Sequence, residues 1–170
     1  MRLGVLDVGS NTVHLQIMDA HHGSAPVPFQ SYKEEIRLAE YLTDNGELSQ
    51  TGIDTLLRTL TRVQADSRGI KVDETLAFAT SAIREASNSE EVLSTVSEKT
   101  GIDLQVLSGS DEARFTFLAV RRWMGWSAGD LLLLDIGGGS LEIACGEQEN
   151  PAYAQSVLLG ANRLTRQFLL

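Results

Sequence analysis

Asp135 and Glu142 bracket three consecutive glycines, Gly137-Gly138-Gly139, and this stretch holds the clearest chemistry in the sequence. The segment from Leu131 to Ala144 reads as an apolar strand, a glycine turn and a second strand. Without Cβ atoms the backbone can turn tightly, and its N–H groups can converge on an anion such as a phosphate. The two carboxylates face the same space and repel each other unless a cation or a proton lies between them. A divalent metal over a phosphate meets both needs; the alternative is a structural hairpin with a solvated acid at each end. The run Leu131-Leu132-Leu133-Leu134 reads as a strand covered on both faces.

The N-terminus repeats this plan. Leu3 to Leu15 is again an apolar strand, an Asp-x-Gly step at Asp7-Val8-Gly9, a small-residue turn and a second strand. Such a repeat suggests two related domains facing each other across a cleft, each giving one phosphate-binding turn. Gly9-Ser10-Asn11 offers backbone N–H groups and two short polar side chains. Arg84 follows Ser81 by one helical turn, and its planar fork suits either a phosphate or a surface carboxylate such as Glu85. Glu112 falls in the first turn of a helix after Ser108-Gly109, where the helix dipole keeps a carboxylate ionised. It could deprotonate an attacking water, or join Asp111 in satisfying the helix N-terminus.

The remaining elements must hold these residues in place. Phe29–Ile36 reads as a short strand, Ser49–Ser67 as an amphipathic helix ended by Gly69, and Thr75–Ala79 as a strand leading into a brief helix. Asn88 and Glu91 form a candidate capping box for a helix that Gly101 stops. Leu104–Leu107 is a strand, and a helix spans about Asp111 to Met124. Strand and helix alternate, which defines an α/β protein. Gly125–Gly129 reads as a hinge with Trp123 and Trp126 packed at the seam, giving a first domain at 1–124 and an incomplete second one at 125–170. His14 alternates with Val13 and Leu15 as a structural strand residue, and His21 and His22 lack metal partners at a recognisable spacing. The stretch Val157–Leu170 starts a helix that stops without a cap, so the second lobe is expected to expose apolar surface that a second copy covers in a homo-oligomer.

A net charge of -9 over 170 residues argues against a nucleic-acid surface. Cys145 is the only cysteine, which excludes intrachain disulfides and cysteine-rich zinc sites. No apolar run approaches the roughly 18 residues of a membrane span, and no cleavable signal precedes the first strand, so a cytoplasmic protein that binds neither membrane nor nucleic acid is expected.

Four motifs in order, Asp7 to Thr12, Thr80 to Ala86, Ser108 to Ala113 and Asp135 to Glu142, resemble those of the exopolyphosphatase and guanosine pentaphosphate phosphohydrolase family. The resemblance implies a ribonuclease-H-like α/β fold of the actin-like ATPase superfamily, with the first lobe complete and the second truncated. It implies Glu112 as the catalytic base that activates water, and Asp135 and Glu142 as the acids that hold magnesium, Asp7 having a lesser metal role. Gly9, Ser10, Asn11, Gly137, Gly138, Gly139 and Ser140 match the two phosphate-binding turns, and Arg84 a phosphate-contacting arginine. Leu141 stands where the family usually has threonine, which removes a hydroxyl from the turn. The implied reaction is release of terminal phosphate from polyphosphate or guanosine pentaphosphate. The family's chain continues past Leu170, so weak activity or none is expected of these residues alone. A superfamily kinase and a non-catalytic sensor of either ligand are the alternatives.

Overall fold

The computed structural model describes residues 1–169, and the chain divides into two compact units, one up to Val106 and one from Leu107 onward. In the first unit the strands are β1 (Arg2–Val8), β2 (Thr12–Asp19), β3 (Val27–Glu35), β4 (Glu74–Ala79) and β5 (Gln105–Val106). They form one sheet in the order β3-β2-β1-β4-β5. The central strand β1 pairs antiparallel with β2 and parallel with β4, which sets Asp7 opposite His14 on one side and Phe78 on the other.

Alternation turns Leu6 and Val8 of β1 and Val13, Leu15 and Ile17 of β2 into the core. Helix α1 (Gln50–Asp66) covers that core with Ile53, Leu56, Leu60 and Val63, each burial contributing about 2 kcal/mol. Its N-cap is Ser49, whose side chain accepts from the Gly52 N–H. The short helix α2 (Ser81–Arg84) follows β4 directly, and α3 (Ser89–Thr100) adds Val92 and Val96 to the core. Gly101 ends α3 in the left-handed conformation, at φ 71°, which glycine adopts without a steric cost. The capping box expected at Asn88 does not form. Its side chain reaches 40 residues back, accepting from the Leu48 N–H at 2.8 Å and donating to the Leu48 carbonyl at 3.1 Å, so a tertiary contact replaces the local one.

The second unit holds α4 (Gly109–Met124), the antiparallel sheet β6 (Leu131–Ile136), β7 (Leu141–Gly146) and β8 (Tyr153–Val157), and α5 (Ala161–Phe168). The division falls earlier than the expected 124/125 because α4 buries Ala113 and Phe117 against Ala144, Leu131, Leu133 and Ala154 of this sheet. Arg121, 1% exposed, then ties the following glycine loop to β7 by donating to the carbonyls of Gly129 at 2.5 Å and Gly146 at 2.9 Å.

Two other expectations are corrected here. The leucine run is covered on one face only: Leu131 and Leu133 point to α4, whereas Leu132, Leu134 and Ile136 are 69%, 56% and 68% exposed. Trp123 is 89% and Trp126 61% exposed, so neither is packed into a seam; the α4 face that packs is the one carrying Ala113 and Phe117. The repeat itself is visible in the backbone, since β6-β7-β8 reproduces the β1-β2-β3 order and Asp135 sits opposite Glu142 as Asp7 does opposite His14. Leu170 lies outside the described residues.

Candidate functional site

In the first unit, two loops leave the carboxyl ends of adjacent parallel strands, the usual ligand position in α/β sheets. The Gly9 N–H donates to the Thr12 carbonyl at 2.9 Å and closes the turn after β1. The Asn11 carbonyl accepts from Ile36 and Arg37 N–H groups at 2.8 and 3.1 Å, which straps the turn to the chain beyond β3. Thr80, at the end of β4, donates its N–H to the Val8 carbonyl, and the buried hydroxyls of Ser10 and Ser81 lie 2.6 Å apart. Gly9–Asn11 and Thr80–Arg84 are thereby fixed side by side.

Arg84, largely buried, approaches Glu85 at 3.8 Å, within ion-pair range but outside a close hydrogen bond. Asp7 is exposed at the strand end, yet lost hydration around its carboxyl pushes it above its ordinary range, and the His14 charge across the hairpin opposes this. His14 itself is bonded to the Ser31 hydroxyl at 2.8 Å, in line with a structural role.

In the second unit the glycine turn is held from behind. The Gly137 N–H donates to the Ser140 carbonyl at 2.9 Å and closes the hairpin. Its own carbonyls point into the start of α5: the Gly137 carbonyl accepts from Ala161, and the Gly138 carbonyl accepts from Asn162 and Arg163, at 2.9 to 3.2 Å. The Arg163 guanidinium adds a contact to the Gly139 carbonyl at 3.2 Å. With the carbonyls turned toward the helix, the N–H groups of Gly138 and Gly139, to which no backbone carbonyl among the described residues is paired, are left for another acceptor.

Sequence reasoning missed Gly160, which makes this arrangement possible. A Cβ there would stand 2.3 Å from the Gly139 carbonyl carbon and 2.5 Å from that of Gly138. A glycine just before a helix, after a strand, was the available signal.

The acids beside the turn are unequal. Glu142 is 2% exposed and accepts from the Ser156 hydroxyl at 2.7 Å, a partner the sequence did not suggest. Asp135 stands directly across the ladder from it, and burial, together with the Glu142 charge, raises the Asp135 carboxyl above its ordinary range. Such a pair favours a bound cation. Magnesium commonly takes one or two carboxylates and fills its remaining positions with water and phosphate oxygens, so the donor set fits that ion. No group of three or more histidine, cysteine or acidic side chains placed to hold a metal occurs among the described residues.

At the start of α4 Ser108 supplies the cap. The Ser108 hydroxyl accepts from the Asp111 N–H at 3.1 Å and bonds its carboxylate at 2.6 Å, and Asp111 also pairs with Arg114 at 3.5 Å. Glu112 lies half-buried in the same turn, and its N–H donates to the Ser108 carbonyl at 2.9 Å.

An Asp-x-Gly hairpin, with an acid at the end of its first strand, opens each of the two sheets, the arrangement of the actin-like ATPase superfamily. Comparison makes this specific. The sequence profile of the Ppx/GppA phosphatase family matches residues 17–170, and the chain belongs to that family. It is 55% identical over 169 residues to exopolyphosphatase 1 of Mycobacterium tuberculosis, covering 99% of this chain and 49% of that protein. The crystal structure of an exopolyphosphatase from Cytophaga hutchinsonii superimposes with a TM-score of 0.90 at 30% identity, over 99% of this chain and 54% of that one. The Aquifex aeolicus member of the Ppx/GppA family gives a TM-score of 0.82 at 28% identity, over 99% and 54%. The chain thus spans about half the length of the relatives it matches. No helix among the described residues is long and apolar enough to cross a membrane.

Proposed function

We propose that this chain supplies the phosphate-binding and water-activating half of a hydrolase that releases terminal phosphate from inorganic polyphosphate. The observation that carries the reading is the Gly137–Gly139 turn, whose carbonyls are held by α5 and whose N–H groups lie beside the Asp135–Glu142 pair. The relatives' names as exopolyphosphatases favour polyphosphate over guanosine pentaphosphate. In this reading Gly138, Gly139 and Ser140 bind the phosphate undergoing attack through their N–H groups, which hydrogen-bond the oxygens that gain charge, and Gly137 closes the turn that presents them. Gly9, Ser10, Asn11 and Arg84 form a second set for other phosphates of the polymer, Arg84 acting through its fork. Asp135 and Glu142 would hold magnesium, which when bound supplies charge neutralisation and polarises phosphoryl oxygens. The Ser156 hydroxyl orients the Glu142 carboxylate. Glu112, in the first turn of α4 where the helix dipole favours an ionised carboxylate, removes a proton from the attacking water. The exposed apolar face of β6 supports association with a second copy.

The test uses the chain joined to the segment that completes its relatives' length. Phosphate release from polyphosphate is expected to require magnesium, and Glu112→Gln is expected to lower turnover by about 10²-fold or more with polyphosphate affinity kept. Near-normal release by Glu112→Gln would remove the base assignment. Binding without any release, or release of ADP from ATP with an added acceptor, would favour the sensor or the kinase.

A further inference from the structure

The carbonyls of the Gly137–Gly139 turn are held by donors of two kinds. Backbone N–H groups at the start of α5 serve Gly137 and Gly138, and almost any residue type can supply those. The Gly139 carbonyl is held differently: the Gly160 N–H reaches it only at 3.3 Å, and the Arg163 side chain adds its Nε–H at 3.2 Å. Arg163 also gives its own N–H to the Gly138 carbonyl at 3.2 Å, so one residue holds two successive peptides of the turn.

Peptide planarity converts that hold into a direction. In a trans peptide the C=O of one residue and the N–H of the next point in opposite directions. Drawing the carbonyls of Gly137, Gly138 and Gly139 toward α5 therefore turns the N–H groups of Gly138, Gly139 and Ser140 away from it. All three of these residues are buried, and no backbone carbonyl among the described residues pairs with their N–H groups. Buried backbone donors are nearly always paired, a demand that the oxygens of an anion meet. Glycine peptides reorient at little steric cost, and the one from Gly139 to Ser140 has the longest backbone bond of the three. Its orientation falls to Arg163.

We propose that Arg163 is a positioning residue for phosphate binding: its Nε–H fixes the Gly139 carbonyl and so brings the Ser140 N–H into line with those of Gly138 and Gly139. This rests on the phosphate reading of the turn. The side chain acts from the carbonyl side of the peptide, and what it supplies is the Nε–H bond rather than a contact to a phosphate oxygen.

Glutamine carries a neutral N–H donor as many bonds from its Cα as the arginine Nε, whereas methionine keeps the length and donates nothing. The test titrates the 170-residue chain with tripolyphosphate and magnesium, followed by calorimetry and by NMR of the turn. Before ligand is added, Arg163→Met should shift the Gly139 carbonyl carbon and the Ser140 amide, and Arg163→Gln should keep both near their parent positions. Affinity should fall about tenfold or more in Arg163→Met, the scale of one buried acceptor left unsatisfied, and stay within about threefold in Arg163→Gln. Arg166→Met, the same loss of charge at an exposed position farther along α5, should also stay within about threefold. Equal losses in the Gln and Met variants overturn the proposal, because the charge of the fork or a direct contact is then what binds. An unmoved Gly139 carbonyl and Ser140 amide in a folded Arg163→Met overturn it without reference to any ligand. Where Arg163→Met does not fold, Arg163→Gln decides alone, kept affinity supporting the proposal and a tenfold loss overturning it. Turn amides of the parent chain that do not respond to tripolyphosphate overturn the phosphate reading itself, and the proposal with it.

Discussion

Gly160→Ala tests whether α5 holds the phosphate turn. The added methyl would lie 2.3 Å from the Gly139 carbonyl carbon and 2.5 Å from the Gly138 carbon and oxygen, all backbone atoms that cannot rotate aside. Restoring ordinary contact distances requires a separation of roughly 1 Å or more. That movement breaks the 2.9 Å bond from Ala161 to the Gly137 carbonyl and the 3.0 Å bond from Asn162 to the Gly138 carbonyl. Two lost bonds and partly orphaned carbonyls cost about 2–4 kcal/mol. Trp123 and Trp126, the only tryptophans, both lie in the second unit, so urea unfolding followed by their fluorescence reports on that unit. Amide shifts of Gly137–Gly139 should move, and polyphosphate affinity should fall with them. A stability within about 0.5 kcal/mol of the parent, with unmoved glycine amides, would refute the reasoning.

Arg121→Met leaves the Gly129 and Gly146 carbonyls without their buried donor and is expected to cost about 3 kcal/mol or more in the same fluorescence assay, whereas exposed Arg114→Met should be near neutral. Asp19 is held below its ordinary carboxylate range by hydrogen bonds from Arg2 at 2.8 and 2.9 Å. Its contribution is therefore present above the ordinary Asp range and lost as pH falls through the lowered folded value, and Asp19→Asn should flatten the acid limb of unfolding in the first unit. Leu134→Lys with Ile136→Lys should reduce self-association in light scattering, since both side chains lie on the open face of β6.

Much of the first unit was legible because its signals are periodic. Ile53, Leu56, Leu60 and Val63 recur at helical spacing and form α1's buried face, and Gly101 ends α3 as a glycine should. The twin Asp-x-Gly hairpins were legible as well, since a strand pair with a short turn is a local structure with local determinants. Asn88 was misread because a remote backbone segment at Leu48 competed for its amide. The boundary between the units was misread because glycines at 125 and 129 looked like a hinge, whereas α4's apolar face belongs to the sheet that follows it.

By itself the sequence marked the residues proposed for the site, Gly9 to Asn11, Arg84, Glu112 and Asp135 to Glu142, since turn chemistry and strand register are set by neighbours in the chain. Tertiary structure alone decided how the second turn is aimed. Its carbonyls are drawn to one side by N–H groups some twenty residues away at the start of α5, and the acid at 142 is steadied by a serine on a third strand. No spacing rule encodes those contacts, because they depend on β8 and α5 returning to the same hairpin in three dimensions.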